Sequence, residues 1–162
     1  MSSPEEVLEI LKKNARHSAE DIARQTDSDP AEIAAIIEQL EDEGVVRGYR
    51  AVIDWTKRDA EPVRAAVELN VELDRDTDYD VVAERIARFP MVESLHLVSG
   101  EFDFLMEVEG ETMRDVSQFV SDKVAPVPGI TQTVTHFVMD SYKEQGITFD
   151  DGGDDDRLSV SP

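Results

Sequence analysis

The apolar residues in the first third of the chain recur at helical spacing in three short segments. The first segment begins at Pro4 and ends near residues 14–16, and its apolar positions are Val7, Leu8, Ile10 and Leu11. Ser18 predicts the N-cap of a short second helix, because acidic residues follow it in the first turn. Pro30 suits the first position of a third helix that ends at Gly44, and its stripe repeats at i, i+3, i+4 and i+7: Ile33, Ile36, Ile37 and Leu40.

After Gly44 the pattern changes from helical to extended. Six apolar or aromatic positions, interrupted by Gly48, predict two short strands joined by a turn: Val45, Val46, Tyr49, Ala51, Val52 and Ile53. Three helices followed by such a hairpin predict a winged helix-turn-helix over residues 1–55. The polar residues 56–62 end in proline and predict a linker to a second domain.

The second half of the chain alternates between strand-like and helix-like segments. Strands are predicted at 67–73, 92–98, 102–108 and 130–139, with one helix around Val82, Ile86 and Phe89 and another over 111–125. The third strand is expected to carry Phe102, Phe104, Met106 and Val108 on one face, and the second helix to bury Met113, Val116, Val120 and Val124. The order βαββαβ predicts a ferredoxin-like domain over 63–146, with both helices on one face of an antiparallel sheet.

The end of the chain has a different composition. Residues 147–162 contain the run DDGGDDD and too little apolar surface to form a core. They therefore predict a disordered acidic tail. The chain as a whole is expected to be an α+β protein of two small domains.

Charge changes this picture more than any other property. The sequence has 37 Asp and Glu against 16 Lys and Arg, which gives a net charge of −21, and the acid is spread along every segment. One explanation is an extreme halophile, in which an acidic hydrated surface keeps the protein soluble where molar salt shortens the Debye length to about 3 Å. The other is a surface that repels nucleic acid and binds a basic partner. We favour the first explanation.

Several classes of site are not expected. The chain has no cysteine, which excludes disulfides and thiolate chemistry, and its three histidines lie far apart in sequence: His17, His96 and His136. We therefore predict no metal and no cofactor. No apolar run is long enough to cross a bilayer, and acids stand where a secretory signal carries positive charge, which predicts a cytoplasmic protein. No nucleophile elbow, phosphate loop or ligand cluster suggests an enzyme.

Three phrases, in this order along the chain, resemble the leucine-responsive/asparagine regulator (Lrp/AsnC) family. They are LEDEGVVRGYRAVID at 40–54, VSGEFDFLMEVEG at 98–110 and PGITQTVTHFVMDSYK at 128–143, and the resemblance extends over about residues 5–146. It implies a transcriptional regulator with an N-terminal domain that binds double-stranded DNA. It also implies a C-terminal RAM/AsnC-type domain that senses a small effector, typically an amino acid. Such domains form homodimers through their sheets, and the dimers can assemble into tetramers or octamers or mix with paralogous subunits.

The predicted recognition helix departs from the arginine-rich pattern of this family. Its outward positions are Ala31, Glu32, Ala35, Glu38 and Gln39, and none is basic. Positive charge lies instead on the flanking elements, where it suits phosphate contacts or serves as ordinary solvated charge. The candidate DNA-binding residues are Lys12, Lys13, Arg16, Arg24, Ser28, Ala31, Glu32, Ala35, Gln39, Arg47 and Arg50.

The loop Ser99-Gly100-Glu101-Phe102-Asp103 matches the family's effector loop. Gly100 suits a hairpin turn, whereas Asp103 has two interpretations: its carboxylate holds the α-ammonium group of an effector while loop amides receive the α-carboxylate, or it makes a structural hydrogen bond. Thr131, Thr133 and Thr135 alternate on one face of the last strand and His136 lies on the other. The candidate effector-binding residues are Ser99, Gly100, Glu101, Asp103, Thr133, Thr135 and His136.

Some of these assignments have open alternatives. Alternating threonines also occur simply as good strand formers, while the resemblance implies that Thr133 and Thr135 face the effector or a partner subunit. His136 is either a pH-sensitive group of the assembly or a packed neutral imidazole. An amino-acid sensor without specific DNA recognition is a second functional hypothesis. A sirohaem decarboxylase-like enzyme is a third, although SGEFDF replaces the histidine- and tyrosine-containing stretch of such proteins.

Overall fold

The structure, a computed structural model, describes residues 2–149 and divides into two compact units, with the boundary between Val52 and Ile53. The first unit contains three helices: α1 (Pro4–Lys13), α2 (Ala19–Thr26) and α3 (Pro30–Asp42). A side-chain oxygen accepts a hydrogen bond from a backbone N–H at the start of each helix, and the capping residues are Ser3, Ser18 and Asp29. These caps satisfy amides that the first helical turn cannot pair, which explains why the three helices begin where the sequence predicts.

The first unit has a small core at the meeting point of the three helices. Its buried residues are Val7, Leu11, Ile22, Ala23, Ile33 and Leu40, and the remaining apolar residues of the α3 stripe pack against them. Gly44 follows α3 with a φ of 68°, a left-handed conformation that ends the helix and suits glycine. The core thus fixes which side of α3 faces outward.

The two predicted strands of the wing do not form. Among the described residues 45–54 none is assigned to a strand, and the segment follows α3 with the Val45 and Val46 amides both donating to the Leu40 carbonyl at 2.9 and 3.0 Å. Val45, Tyr49 and Ile53 expose 54%, 48% and 43% of their surfaces. Because these apolar side chains find no core to cover, and an isolated hairpin is only marginally stable, the alternating pattern alone does not produce a ladder.

Near the start of the second unit is a short 3-10 helix, Trp55–Lys57, which spans the predicted boundary between the first domain and the linker. Four strands and two helices follow: β1 (Val63–Val71), α4 (Tyr79–Ala87), β2 (Val92–Leu97), β3 (Phe104–Gly110), α5 (Met113–Phe119) and β4 (Ile130–Phe137). The strands form one antiparallel sheet in the order β2-β3-β1-β4. This is the ferredoxin-like βαββαβ arrangement, so the predicted fold is confirmed.

Both helices cover the same face of the sheet. Alternate residues of the two central strands are buried against them: Ala65, Val67 and Leu69 on β1, and Phe104, Met106 and Val108 on β3. The helices contribute Val82, Ile86, Val116, Phe119 and, beyond α5, Val120 and Val124. Phe89 and Phe119 pack edge to face, with ring centroids 5.4 Å apart, and join the two helical segments.

Two core residues were predicted wrongly. Met113 is 56% exposed, because it is the first residue of α5 and its side chain lies ahead of the stripe that begins at Val116. Phe102 is half-buried in the loop rather than on β3, which begins only at Phe104. After Phe119 the helix continues as a π-turn, Val120–Val124, with the Ala125 amide donating to the Val120 carbonyl at 2.8 Å.

The second face of the sheet has no helix over it, and we call it the open face. Residues on this face include Ala66, Glu68, Asn70, Leu105, Glu107, Val134 and His136. His136 Nε2 lies 3.2 Å from Glu68 Oε1, and Ser94 donates a hydrogen bond to Glu107. The open face therefore mixes apolar residues with paired polar groups.

The chain after β4 folds back on the second unit. Two short strands, β5 (Lys143–Glu144) and β6 (Ile147–Thr148), form a hairpin, so residues 147–148 do not belong to the predicted tail. Arg64 holds this hairpin through a 2.5 Å ion pair with Glu144 and a 2.6 Å bond to Ser141 Oγ, which the sequence pattern did not predict. The rest of the predicted tail, 150–162, lies outside the described residues.

Candidate DNA-binding and effector sites

The outward face of α3 carries small and acidic side chains, and none of its predicted contact residues is a cation. Ala31 and Ala35 are exposed, Glu32 is half-buried, and Gln39 donates a hydrogen bond to the Glu43 carboxylate at 2.8 Å. Tyr49 donates to Glu41 at 2.7 Å, and this bond raises the pKa of the Tyr49 hydroxyl above its ordinary value. The outward face of α3 thus carries methyl groups, carboxylates and the carboxamide of Gln39.

The predicted basic contacts lie at the ends of α1 and α2 and on the segment after α3. Lys12 pairs with Glu9 at 3.7 Å, Arg24 pairs with Asp21, and the Arg47 Nε donates to the Gly44 carbonyl at 2.9 Å. The remaining members of the set, Lys13, Arg16 and Arg50, are exposed. All six cations therefore lie at the surface of the first unit.

Ser28 has a different environment from the other candidates. Its hydroxyl oxygen lies 2.6 Å from the hydroxyl oxygen of Ser2, a residue that is only 6% exposed. Ser28 also donates to the Thr26 carbonyl at 3.3 Å. These bonds connect the start of the chain to the turn between α2 and α3, so Ser28 already has partners within the unit.

The loop between β2 and β3 is fixed at both ends. The Asp103 amide donates to the Leu69 carbonyl at 2.9 Å, and the Val98 amide donates to the Asp103 carbonyl at 2.9 Å. The Asn70 side-chain amide donates to the Glu101 carbonyl at 3.2 Å. Gly100 has a φ of 125°, which favours glycine. The loop is therefore a defined structure attached to the end of β1.

Between these attachments the loop offers unpaired hydrogen-bond donors. Within residues 2–149, the backbone amides of residues 99–102 donate to no protein acceptor. Ser99, Gly100 and Glu101 are exposed. Successive backbone N–H groups in a fixed loop suit an anion such as a carboxylate, because these donors are already ordered before it binds.

The Asp103 carboxylate makes structural hydrogen bonds with both of its oxygens. The Val71 amide donates to Oδ2 at 2.7 Å, and the Tyr79 hydroxyl donates to Oδ1 at 3.2 Å. The hydrogen bond to Asp103 and its negative charge raise the pKa of the Tyr79 hydroxyl. Tyr79 is the first residue of α4, and its ring packs edge to face on Phe104 at 5.8 Å. These contacts join three elements at one end of the sheet.

The candidates on β4 fall on opposite faces of the sheet. Thr133 and Thr135 lie opposite the buried Leu69 and Val67, whereas His136 lies opposite Ala66 on the open face. Of these three residues, Thr133 lies closest to the loop in register. Its cross-strand partner Leu69 accepts a hydrogen bond from the Asp103 amide and pairs with Phe104 on the other side of β1. His136 is not brought together with the loop in this chain. Sequence reasoning also missed Tyr79 and Val71, which lie far from Asp103 along the chain.

Comparisons with known proteins assign both units. The sequence profile for the Lrp/AsnC ligand binding domain matches residues 64–148, and the profile for a winged helix-turn-helix DNA-binding domain matches residues 5–47. The chain belongs to the Lrp/AsnC family of transcriptional regulators. The predicted family is thus confirmed, and this Lrp/AsnC chain is a regulator with a DNA-binding domain and a domain for a small effector.

Individual relatives agree over nearly the whole length. An uncharacterised HTH-type transcriptional regulator of Bacillus subtilis, YugG, is 43% identical over 158 residues, 97% of this chain and 95% of that protein. The leucine-responsive regulatory protein of Haemophilus influenzae is 26% identical, over 85% of this chain and 82% of its own. A regulator from Neisseria meningitidis, solved as a complex with L-methionine, shares the fold with a TM-score of 0.66 and 23% identity, over 89% of this chain and 93% of its own.

Across residues 2–149 every helix is too short or too polar to cross a bilayer. In the same part of the chain no group of three or more His, Asp or Glu side chains is arranged to hold a metal ion. The candidate sites in the described residues are the basic and helical surface of the first unit and the loop 99–102 of the second.

Proposed function

We propose that this Lrp/AsnC protein controls transcription in the cytoplasm in response to an amino acid. The observation that carries the proposal is the run of unpaired amides at residues 99–102, held in a fixed loop of the ligand-binding domain. These amides receive the α-carboxylate of the effector. Glu101, which is exposed beside them, provides negative charge for the α-ammonium group.

Two relatives support an amino acid as the effector class. One is named for its response to leucine, and another was solved with L-methionine bound. Thr133 completes the proposed site from β4, because its partner Leu69 also accepts the Asp103 amide. Thr135 lies one step further along the same face, and His136 belongs to the open face. The side chain of the amino acid is read by residues of a partner subunit together with these groups.

We infer that the first unit binds duplex DNA through cations that flank α3, a helix whose outward face has no cation. The exposed alanines of α3 allow its backbone to approach base edges closely, while Gln39 and Glu38 offer groups that pair with adenine and cytosine. Phosphates are held by Lys12, Lys13, Arg16, Arg24, Arg47 and Arg50. Effector binding changes the assembly or the spacing of paired winged helices and so changes which half-sites are bound.

The open face is the proposed surface for dimerisation. It carries exposed Val134 and half-buried Leu105 among polar residues that pair within the sheet, which suits a self-complementary contact between two copies. Dimers then assemble into tetramers or octamers, or mix with paralogous subunits. We also propose that the charge of −21 is an adaptation to a cytoplasm of molar salt.

A second function has one observation in its favour. The outward face of α3 carries carboxylates and no cation, which weakens attraction to phosphate. This observation favours a sensor that acts by mixing with other subunits and lacks sequence-specific DNA recognition. The sirohaem decarboxylase-like alternative has no comparable support, because the relatives are named as transcriptional regulators.

DNA selection followed by a salt titration tests the proposed regulator. Purified protein is used to enrich genomic fragments, and binding is measured by fluorescence anisotropy across KCl concentrations. Arg47→Ala with Arg50→Ala is expected to weaken binding by tenfold or more and to reduce the salt slope, since phosphate contacts release counterions. Lys123→Ala, an exposed cation of the second unit, is the control and leaves binding unchanged. Absence of sequence preference at every salt concentration contradicts the regulator and favours the sensor.

A further inference from the structure

The carboxylate of Asp103 is the central group of a contact between three elements. Asp103 immediately precedes β3. Its carboxylate accepts one hydrogen bond from the backbone amide of the last residue of β1 and another from the side-chain hydroxyl of the first residue of α4. The backbone of Asp103 is bonded to Leu69 and Val98 as well. Asp103 therefore determines where the loop 99–102 leaves the sheet.

The side chain of Tyr79 fixes Asp103 in turn. Its hydroxyl lies 3.2 Å from Asp103 Oδ1, and its ring is held against Phe104, which is 2% exposed. The Asp78 side chain caps α4 and so fixes the backbone from which Tyr79 projects. With Oδ2 taken by the Val71 amide and Oδ1 by Tyr79, the carboxylate has a single orientation.

We propose that Tyr79 is a positioning residue for the effector loop: it fixes the Asp103 carboxylate, and thereby the amides of residues 99–102, in the arrangement that receives the effector. The inference rests on the proposed effector function of that loop. It assigns Asp103 a structural role and leaves recognition of the effector to the loop backbone. The raised pKa of the Tyr79 hydroxyl agrees with a bond to an ionised carboxylate.

Two substitutions separate positioning from direct contact between Asp103 and the effector. Tyr79→Phe removes only the hydroxyl and keeps the ring on Phe104. Asp103→Asn removes the negative charge but keeps both bonds, because its carboxamide oxygen accepts from Val71 and its NH2 group donates to the Tyr79 oxygen. Tyr142→Phe is the matched control, since Tyr142 is 80% exposed and its hydroxyl makes no hydrogen bond within residues 2–149.

The first measurement needs no ligand. Amide hydrogen exchange is followed by NMR in wild type, Tyr79→Phe and Tyr142→Phe. We expect Tyr79→Phe to accelerate exchange of the Val71, Val98 and Asp103 amides by about tenfold, because a hydrogen bond to a charged group is lost. Exchange of the Val67 amide, in the middle of β1, is expected to stay the same in all three proteins. Unchanged exchange at the loop attachments in Tyr79→Phe overturns the proposal.

The second measurement uses amino acids as probes. Calorimetric titration of wild type with each of the twenty amino acids identifies the tightest binder, which is then titrated into the variants. Positioning predicts that Tyr79→Phe binds it about tenfold more weakly while Asp103→Asn stays within about threefold. Direct contact predicts the reverse, and that result, or unchanged affinity in Tyr79→Phe, overturns the proposal. If wild type binds no amino acid, the proposed effector class fails, and the exchange result alone decides whether Tyr79 positions the loop.

Discussion

Gly129 shows how one residue closes the ferredoxin-like unit. It has a φ of 99°, and its carbonyl accepts the Glu72 amide at 2.8 Å, which holds the start of β4 against the end of β1. A Cβ at this position would lie 2.8 Å from Thr77 Cγ2 and 3.2 Å from Val82 Cγ2. Conformation and space therefore both require glycine at this turn.

Replacing Gly129 with alanine is expected to destabilise the protein by about 2 kcal/mol, because left-handed strain and steric overlap act together. Chemical denaturation followed by circular dichroism measures the change in the free energy of unfolding. Gly48→Ala is the matched control: no atom lies within 4 Å of the added Cβ, so its effect is expected to stay below about 0.5 kcal/mol. Equal stability of the two variants contradicts this account.

At the scale of elements, the helices of the first unit depend on local caps. Ser18 and Asp21 form a reciprocal capping box at the start of α2, in which the Ser18 amide donates to Asp21 Oδ2 at 3.0 Å. This backbone bond, followed by the Ser18 hydroxyl, lowers the pKa of Asp21 below its ordinary value of 3.8. The ionised carboxylate therefore stabilises the folded helix more than the unfolded chain.

The capping box predicts a pH dependence of known sign. Because the folded pKa of Asp21 is lowered, its stabilising contribution is present above the ordinary value of 3.8 and is lost as the pH falls through the folded pKa. NMR titration of the Asp21 carboxyl carbon is expected to give a midpoint below 3.8. Ser18→Ala should move that midpoint upward, since it removes the hydroxyl bond. A midpoint at or above 3.8 in wild type excludes the predicted cap.

Elements with local signals were predictable, whereas those that depend on distant partners were not. Ser18 and Pro30 mark helix starts within a few residues of sequence, and the alternation along β1 reports its one buried face. The strands of the wing were predicted wrongly from the same kind of alternation, because strands also need a surface for their apolar side chains to cover. The contact between Tyr79 and Asp103 joins residues 24 apart, and no period in the sequence reports it.

At the scale of the whole molecule, charge is the dominant property. With 37 acidic and 16 basic residues, repulsion opposes the compact state wherever salt does not screen it. The ion pair between Arg64 and Glu144 is an exception that favours folding, and its side chains are only 24% and 34% exposed. Because acidic residues outnumber basic ones, salt screens more unfavourable than favourable interactions.

The thermal midpoint is therefore expected to rise between about 0.1 and 2 M KCl, since the Debye length shortens from about 10 Å to a few ångströms over this range. Circular dichroism of the purified protein in a KCl series measures it. A parallel sucrose series is the control, because sucrose stabilises by exclusion without screening charge. Highest stability at low salt, with unfolding at molar KCl, contradicts the adaptation that we propose.

The open face of the sheet is the surface proposed for assembly, and a charge placed on it tests that role. Val134 is 36% exposed at the open face, so its replacement removes little buried apolar surface from the isolated domain, and molar KCl screens the repulsion between a new carboxylate and Glu68 opposite it. Val134→Glu places a further carboxylate where two copies are proposed to meet, and desolvating it there opposes association. Light scattering after gel filtration in molar KCl should show wild type as a dimer or larger assembly and Val134→Glu at a lower mass.

The control for this variant adds the same charge elsewhere. Ser117→Glu lies on the exposed side of α5, on the face of the sheet that the helices cover, and is expected to keep the wild-type mass. Circular dichroism establishes that both variants remain folded. Since the two proteins carry equal net charge, a mass difference between them must come from the position of the carboxylate. If Val134→Glu keeps the wild-type mass, assembly uses a surface other than the open face. If the wild type is a monomer, assembly has no part in the proposed mechanism.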